Sequence, residues 1–245
     1  MSKQQCPSRE KEIAEMSSIP YASAIGTVMY AMLCTRPDVA LAISLTNRYQ
    51  SNPGMPHWTA VKNILKYLCK TKDMFLVYGG DSSKGLNVTG YVDASFDTDR
   101  DDSKSQTGWV FLINGGAVSW KSAKQTVVAQ STMEAEYMAA SDASNEGVWL
   151  RKFLLELGVF PNASSPMTIL CDNTAAIANC KEPRSHPATK HIDRRFHVIR
   201  DYVRDGKVKV CKVHTDDNAA NPLTKPLPKE KHKLHRNVMG VSSLD

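Results

Sequence analysis

Two aspartates follow short apolar runs at points where a β-strand is expected to end. Asp93 ends the alternating run LNVTGYVD, and Asp172 ends the apolar run MTILCD. Ligand sites in open α/β sheets lie at the carboxyl ends of strands, so both carboxylates are where a site could form. Taken singly, each is equally well explained as an ordinary strand end that faces solvent.

A third carboxylate is available from the stretch STMEAEYMAASDASNEGVWLRKFLLELG, which offers Glu134 and Glu136. At about 100° per residue, Glu136 lies roughly 60° from Met133, whereas Glu134 lies roughly 100° away on the other side. We therefore expect Glu136 to point toward the sheet. The apolar stripe that defines this direction has helical spacing and consists of Met133, Tyr137, Ala140, Ser144 and Val148.

Three carboxylates held close together repel one another unless a cation neutralises them. Mg²⁺ prefers hard oxygen ligands and usually keeps several waters. Two such ions about 3.5–4 Å apart can activate a water and stabilise the leaving oxygen of a phosphodiester. If Asp93, Glu136 and Asp172 cluster, the expected chemistry is phosphodiester hydrolysis with Mg²⁺ or Mn²⁺.

The elements that would position these acids follow the order βββαβααβα from residue 86 onward. The turn NGG between TGWVFLI and AVSWKS predicts a β-hairpin. Ser131 or Thr132 is the expected N-cap of the long helix, and Gly158 its stop. TKHIDRRFHVIRDYVRDG predicts an amphipathic basic helix, KVKVCKVHT a strand, and the tail another helix. This order predicts an α/β fold, with helices packed on a mixed sheet.

The region before this sheet has a different pattern. Residues 1–18 are polar and predict a flexible lead-in. Residues 19–80 are mainly helical, in three stretches that each open with a proline, which a first helical turn tolerates. MFLVYGG predicts a short strand, and residues 79–85 a linker. The sequence therefore predicts a helical segment over 19–80 and an α/β domain over 86–241.

Positive charge is concentrated in one window. Residues 181–236 hold 15 Lys/Arg against 7 Asp/Glu, in a chain whose net charge is +6. Within this window, Lys190, Arg194 and His197 share one side at helical spacing, with Arg195 beside them. Such a surface suits the backbone phosphates of nucleic acid. A solvated basic face remains the alternative.

The N-terminus and the cysteines bear on the compartment. The first residues lack the apolar core of a secretory signal, and the six cysteines show no tight spacing, which favours an intracellular protein with reduced thiols. The apolar runs are shorter than the roughly 20 residues that span a bilayer. We expect neither a membrane partner nor a small-molecule cofactor. The acidic residues after Asp93 predict a solvated loop, namely Asp97, Asp99, Asp101 and Asp102.

The motifs together resemble those of a known family. From YVDASFDTDRDDSKSQTGWVFLINGG through MEAEYMA, CDNTAAI, TKHIDRRFHVIRD and NPLTKPLP, the chain resembles the ribonuclease H domain of Ty1/copia-type retrotransposon Pol polyproteins. The segment from PYASAIGTVMYAML through HWTAVKNILKYLCKTKD is similar to the end of that family's reverse transcriptase, its thumb/connection region. The resemblance implies a ribonuclease H-like fold, a five-stranded mixed sheet of order 3-2-1-4-5 flanked by helices and preceded by a small helical subdomain.

The resemblance also implies Mg²⁺-dependent cleavage of the RNA strand of RNA·DNA hybrids. Asp93, Glu136 and Asp172 match the family's catalytic, metal-binding acids. Asn221 stands where the family commonly has a fourth catalytic aspartate. Asparagine keeps a carbonyl oxygen but brings no charge and accepts no proton as a carboxylate does. The local alternative for Asn221 is a helix N-cap followed by Pro222.

Further expectations concern substrate and partners. Discrimination of RNA would rest on contacts with the 2′-hydroxyl, from Ser131, Thr132 or Asn173 near the site. Because Ala94 replaces the second aspartate of a YxDD motif, we assign no polymerase activity. The expected partners are the hybrid and the polymerase portion of a reverse transcriptase, in a cytoplasmic particle or the nucleus. The rival hypothesis is a degenerate or domesticated fragment that binds nucleic acid or protein without catalysis.

Overall fold

The computed structural model describes residues 1–79, 87–158, 164–182 and 193–244. Within these residues, no helix is both long enough and apolar enough to cross a membrane. The helices are α1 (Glu10–Ser17), α2 (Tyr21–Cys34), α3 (Ala40–Asn47), α4 (Met55–Lys70), α5 (Thr132–Leu157), α6 (Thr174–Lys181), α7 (Val198–Arg204) and α8 (Lys229–Val238). The strands are β1 (Met74–Leu76), β2 (Val88–Ser95), β3 (Gln106–Ile113), β4 (Gly116–Lys124), β5 (Met167–Cys171), β6 (Val208–Lys212) and β7 (Val241–Ser243).

Five of the strands form one mixed sheet, in the order β4-β3-β2-β5-β6. The first three strands are antiparallel, and β5 and β6 then run parallel to β2. Numbered along the chain from β2, this order is 3-2-1-4-5, which confirms the predicted ribonuclease H-like α/β fold. The predicted hairpin is also confirmed. Its turn residues Asn114 and Gly115 have φ values of 49° and 80°, which match the twist of the strands they join.

Helix α5 packs across this sheet and has the predicted bounds. The Ser131 hydroxyl caps it by accepting the Glu134 N–H at 3.3 Å. Gly158, at φ 69°, ends it in the left-handed conformation that suits glycine. Of the predicted stripe, Tyr137 and Ala140 are fully buried in the main core. The helix is therefore fixed at both ends and along the face that carries Glu136.

The helical segment forms three of the predicted helices, α2, α3 and α4, around their own apolar cluster. Part of the expected flexible lead-in is helical, since α1 covers residues 10–17. The helical tail ends at Val238 and is followed by a strand that the sequence did not predict, β7, which pairs antiparallel with β1. The division into a segment over 19–80 and a domain over 86–241 stays a prediction.

The acidic loop after β2 differs from the predicted solvated loop. Asp99 is buried, and it pairs with Arg48 at the end of α3 and with Lys124 of β4 at 3.1 Å. Asp101 accepts the backbone N–H of Lys3 at 2.8 Å. Of the four acids, Asp97 and Asp102 are exposed as expected. The prediction was wrong for Asp99 and Asp101, because their partners Arg48 and the backbone N–H of Lys3 lie far away in sequence.

The basic helix is shorter than predicted. The described part begins at Asp193, whose carboxylate accepts the N–H of Arg195 at 3.2 Å, and it continues as a 3₁₀ turn over Arg194–His197 before α7. Lys190 lies outside the described residues. The predicted alignment of Lys190 with Arg194 and His197 therefore stays a prediction.

Candidate active site

The three acids identified in the sequence come from adjacent elements at one end of the sheet. Asp93 lies near the end of β2 and is 1% exposed. Asp172 directly follows β5, and the pairing of Val92 with Cys171 brings these two aspartates onto neighbouring strands. Glu136 lies in the second turn of α5 and is also buried.

The choice between the two glutamates follows the helical phase. Glu136 extends toward the strand ends, where one of its carboxylate oxygens lies within 4.8 Å of an Asp172 oxygen. Glu134 is buried as well, but its carboxylate accepts the N–H of Gln130 at 2.8 Å and closes the start of the helix. The burial of Glu134 was not expected, and its contact gives it a capping role.

Glu136, Asp172 and Cys171 have side-chain ligand atoms that lie within 4.8 Å of one another. The Cys171 thiol lies 3.9 Å from a Glu136 oxygen. Asp93 is not part of this group, although its charge acts on Glu136. The sequence predicted that Cys171 lies in a buried strand, but not that it lies in the site. A cysteine just before a strand-end aspartate does not by itself indicate a functional role.

Burial and repulsion from neighbouring acids raise the pKa values of Asp93 and Glu136. Burial raises the pKa of Asp93 to about 6, with Lys225 and Thr224 opposing the rise and Asp172 adding to it. Burial raises the pKa of Glu136 to about 9, helped by the charges of Asp93 and Asp172. A raised pKa means that the positive charge near a carboxylate is too small to offset its burial and the repulsion from neighbouring acids.

Asp93 has two partners that the sequence analysis missed. The Thr224 hydroxyl donates a hydrogen bond to Asp93 Oδ2, and the Lys225 ammonium lies 3.4 Å from the same oxygen. Both residues belong to the motif NPLTKPLP, so the signal was present in the stretch that carries the resemblance. The match of Asn221 to a fourth acid implied that this loop lies near the site, but not that Thr224 and Lys225 contact Asp93.

Asn221 is buried in the 3₁₀ turn just before these two residues. Its side-chain amide donates to the carbonyl of Thr215 at 2.6 Å, while its Oδ1 has no hydrogen-bond partner among the described residues. The cap of the turn is Ala220, and Asn221 is the first residue inside it, so the N-cap explanation is wrong. An unpartnered buried carbonyl oxygen is costly unless water or a cation satisfies it.

The donor set fits a hard divalent cation. Asp93, Glu136 and Asp172 offer carboxylate oxygens, and Asn221, just before the two residues that contact Asp93, has an amide oxygen without a hydrogen-bond partner among the described residues. Burial raises the pKa of the Cys171 thiol, so the sulfur stays protonated and is a poor ligand. Oxygen-binding ions such as Mg²⁺ and Mn²⁺ match these donors better than Zn²⁺ does.

The predicted substrate contacts are only partly brought together. Asn173 caps α6 by accepting the N–H of Ala176 at 2.9 Å, as Ser131 caps α5, whereas Thr132 is exposed at the start of α5. His197 Nδ1 forms a 3.0 Å hydrogen bond with the Tyr137 hydroxyl.

The two described arginines of the basic segment are exposed. Arg195 pairs with Asp193 at 3.2 Å and donates to the Thr126 hydroxyl. Arg194 is exposed beside it. Of the described basic side chains, Arg194 and Arg195 are exposed, whereas His197 is hydrogen-bonded to Tyr137. A single basic face that includes Lys190 stays a prediction.

Comparisons with known proteins were made for the whole chain. No family model matches it. It is 44% identical over 243 residues, 99% of its length, to the retrovirus-related Pol polyprotein from transposon TNT 1-94 of Nicotiana tabacum, and 35% identical over 223 residues, 90% of its length, to that from transposon RE2 of Arabidopsis thaliana. The chain spans only 18% and 15% of these relatives. A solved structure of LC11-RNase H1 in complex with RNA/DNA hybrid is 15% identical, with a TM-score of 0.40 over 56% of this chain and 94% of that one.

Proposed function

Since this chain belongs to the Ty1/copia-type retrotransposon Pol polyproteins, we propose that its α/β part is a ribonuclease H-type endonuclease. It hydrolyses the RNA strand of RNA·DNA hybrids. The observation that carries the proposal is the meeting of three carboxylates, Asp93 and Asp172 at the ends of two neighbouring parallel strands and Glu136 on the helix, with ligand oxygens of Glu136 and Asp172 within 4.8 Å of each other.

In this proposal the three acids hold Mg²⁺ or Mn²⁺, with the free amide oxygen of Asn221 beside them. Two bound ions would supply an activated water and stabilise the leaving oxygen, which yields a 5′-phosphate and a 3′-hydroxyl. The chain fixes the acids before substrate arrives, because the cap at Ser131 and the sheet pairing of β2 with β5 hold their backbones. The burial of Asp93 and Glu136 strengthens their attraction for a cation, since the local dielectric is low.

Substrate binding in this proposal uses the basic window and the helix ends. Arg194 and Arg195, with Lys190, contact backbone phosphates without reading sequence. The ends capped by Ser131 and Asn173, and the exposed Thr132, are available for the 2′-hydroxyl that marks RNA. The hydrogen bond of His197 to Tyr137 gives this histidine a positioning role rather than a direct phosphate contact.

The wider setting follows from the relatives and is part of the same proposal. The segment over 19–80 is the end of a reverse transcriptase, and the partners are a hybrid and the polymerase portion of that enzyme. The setting is a retrotransposon particle in the cytoplasm or the nucleus.

A second candidate is a fragment that binds nucleic acid or protein without cleaving it. Asn221 favours this candidate, because it removes one negative charge from the group that would bind cations. The two candidates differ in metal-dependent turnover, not in binding.

The decisive experiment is cleavage of an RNA·DNA hybrid with Mg²⁺ or Mn²⁺ by the wild-type chain, Asp93→Asn and the control Asp97→Asn. Asp97 is exposed at φ 52°, a conformation that asparagine tolerates. We expect Asp93→Asn to lose at least about 100-fold in rate, a typical cost for a lost catalytic group, and Asp97→Asn to match the wild type. Hybrid binding without cleavage by the wild type would establish the second candidate, and equal cleavage by all three would refute the site.

A further inference from the structure

The Asp93 carboxylate is already paired with a positively charged side chain of the same chain. Lys225 Nζ lies 3.4 Å from Asp93 Oδ2. Among the described residues, no other ion pair involves Asp93, Glu136 or Asp172. The Asp93 side chain is almost fully buried, whereas 35% of the Lys225 side chain is exposed. One end of this pair is therefore fixed, and the other has room to move.

The loop that carries Lys225 is well anchored. The backbone N–H groups of Thr224 and Lys225 both donate to the carbonyl of Asn221 at 3.2 Å, and the buried Thr224 hydroxyl donates to Asp93. Asn221 and Lys225 are therefore presented from one short turn. This turn brings a neutral amide where the family commonly has an acid, and an ammonium group four residues later.

The charges at positions 221 and 225 affect how strongly the site binds a cation. With aspartate at position 221, the turn would bring one negative and one positive charge, which offset each other. With Asn221, only the positive charge of Lys225 remains beside Asp93. A positive charge so close to a ligand carboxylate opposes a second cation at the same carboxylate.

We propose that Lys225 is the resting counterion of Asp93 and competes with divalent cations for this carboxylate. The inference rests on the proposed function, because it treats the same acids as the cation site. Uptake of a cation requires the ammonium group to leave Asp93. The lysine can do this without backbone movement, since its flexible four-carbon stem is partly in solvent.

The test measures cation binding directly, through the loss of the free Mn²⁺ signal in electron paramagnetic resonance on the full chain. The variants are Lys225→Met, which removes the charge at similar length, and Lys225→Arg, which keeps it. Lys229→Met is the matched control, because Lys229 is exposed at the start of the following helix. We expect Lys225→Met to bind Mn²⁺ about tenfold more tightly than the wild type, as expected when one nearby partly screened charge is removed. Lys225→Arg and Lys229→Met should stay within about threefold of the wild type, less than one charge contributes.

A purely structural role gives a different result. In that case Lys225→Met would lower the melting temperature in EDTA but leave Mn²⁺ affinity unchanged, or weaken it. Unchanged or weaker binding by Lys225→Met overturns the inference, and the proposed function stands if the wild type binds Mn²⁺ and cleaves hybrid. Binding by Lys225→Met alone supports the inference and overturns the proposed function. Binding by neither protein overturns both.

Discussion

Asp93 and Asp99 lie six positions apart, one near the end of β2 and the other in the loop that follows, and both are buried. Burial favours a raised pKa for both carboxyl groups, but the partners that oppose this effect differ. At Asp99 a hydrogen bond from the backbone of Asp101 and the charges of Lys124 and Arg48 outweigh burial, so the pKa falls below its usual value. At Asp93 a single lysine and a hydroxyl oppose burial and a second acid, so the pKa is raised.

The difference shows what each acidic group contributes. Asp99 is neutralised by the chain itself and joins Arg48 of the helical segment to Lys124 of the sheet. The site acids are left short of positive charge, which costs stability unless something binds. Burial does not distinguish the loop acid Asp99 from the site acid Asp93, because both are buried. The number of positively charged partners does distinguish them.

The largest expected effect comes from breaking the neutralised group. Asp99→Asn leaves Arg48 and Lys124 without this carboxylate, so the free energy of unfolding should fall by about 3 kcal/mol. Urea denaturation measures the change, with Asp97→Asn as the exposed control. A cost for Asp99→Asn no larger than that of the control would show that the buried pairs contribute nothing.

Removing an acid from the site should have the opposite sign in metal-free protein. The pKa of Glu136 is about 9 in the folded chain and 4.5 without its surroundings. The unfolded chain therefore loses this proton first, and stability falls as pH rises above about 4.5 until it levels off above about 9. Glu136→Gln removes this loss, so in EDTA at pH 8 it should be more stable than the wild type by about 2 kcal/mol.

Urea denaturation in EDTA from pH 5 to pH 8 checks this prediction. The wild type should lose stability across the range, and Glu136→Gln should have a flatter profile. Added Mg²⁺ should flatten the wild-type profile as well, because a bound cation stabilises the ionised acids. Parallel profiles for both proteins would mean that Glu136 is not held protonated.

An aspartate at position 221 would add a fourth acid to the site. Asn221→Asp adds a carboxylate to the under-neutralised group, so it should lower metal-free stability by about 1 kcal/mol and speed hybrid cleavage about tenfold. Asn218→Asp is the control, since this buried asparagine already uses its amide on Val92 and its oxygen on Ala220. Slower cleavage by Asn221→Asp would contradict a ligand position for residue 221.

The smallest expected effect concerns the start of α5. Ser131→Ala removes the cap and should cost about 1 kcal/mol of unfolding free energy, whereas the exposed Thr132→Ala should cost less than about 0.5 kcal/mol. Thermal melts and hybrid-binding titrations of both variants provide the measurement. Weaker hybrid binding by Ser131→Ala at unchanged stability would assign Ser131 to the substrate instead of the helix.

Local signals explain what the sequence could predict. The hairpin was predictable because an Asn-Gly pair suits its turn, and α5 because Ser131 and Gly158 mark its ends. The preference for Glu136 over Glu134 came from helical phase, and the structure brings Glu136 to Asp172 and Cys171. All these features depend on residues close together in the chain.

Features that depend on distant partners were missed. Nothing near Asp99 indicates that Arg48 will reach it. The match of Asn221 to a fourth acid implied that its loop lies near the site, but not that Thr224 contacts Asp93. The free oxygen of Asn221 is likewise a property of the packed turn, although its residue type was noticed. Sequence patterns identify the acids, but only packing decides which of them are neutralised.

The pairing of β1 with β7 also bears on how the chain folds during synthesis. Leu76 pairs with Val241, a separation of 165 residues, so β1, which follows the helical segment, pairs with the strand that follows α8. Contacts of such separation form late, because a long loop must close first. The edge of β1 therefore stays unpaired until residues 241–243 have been synthesised and can pair with it. Deletion of residues 241–243 would leave that edge open to pairing with other chains.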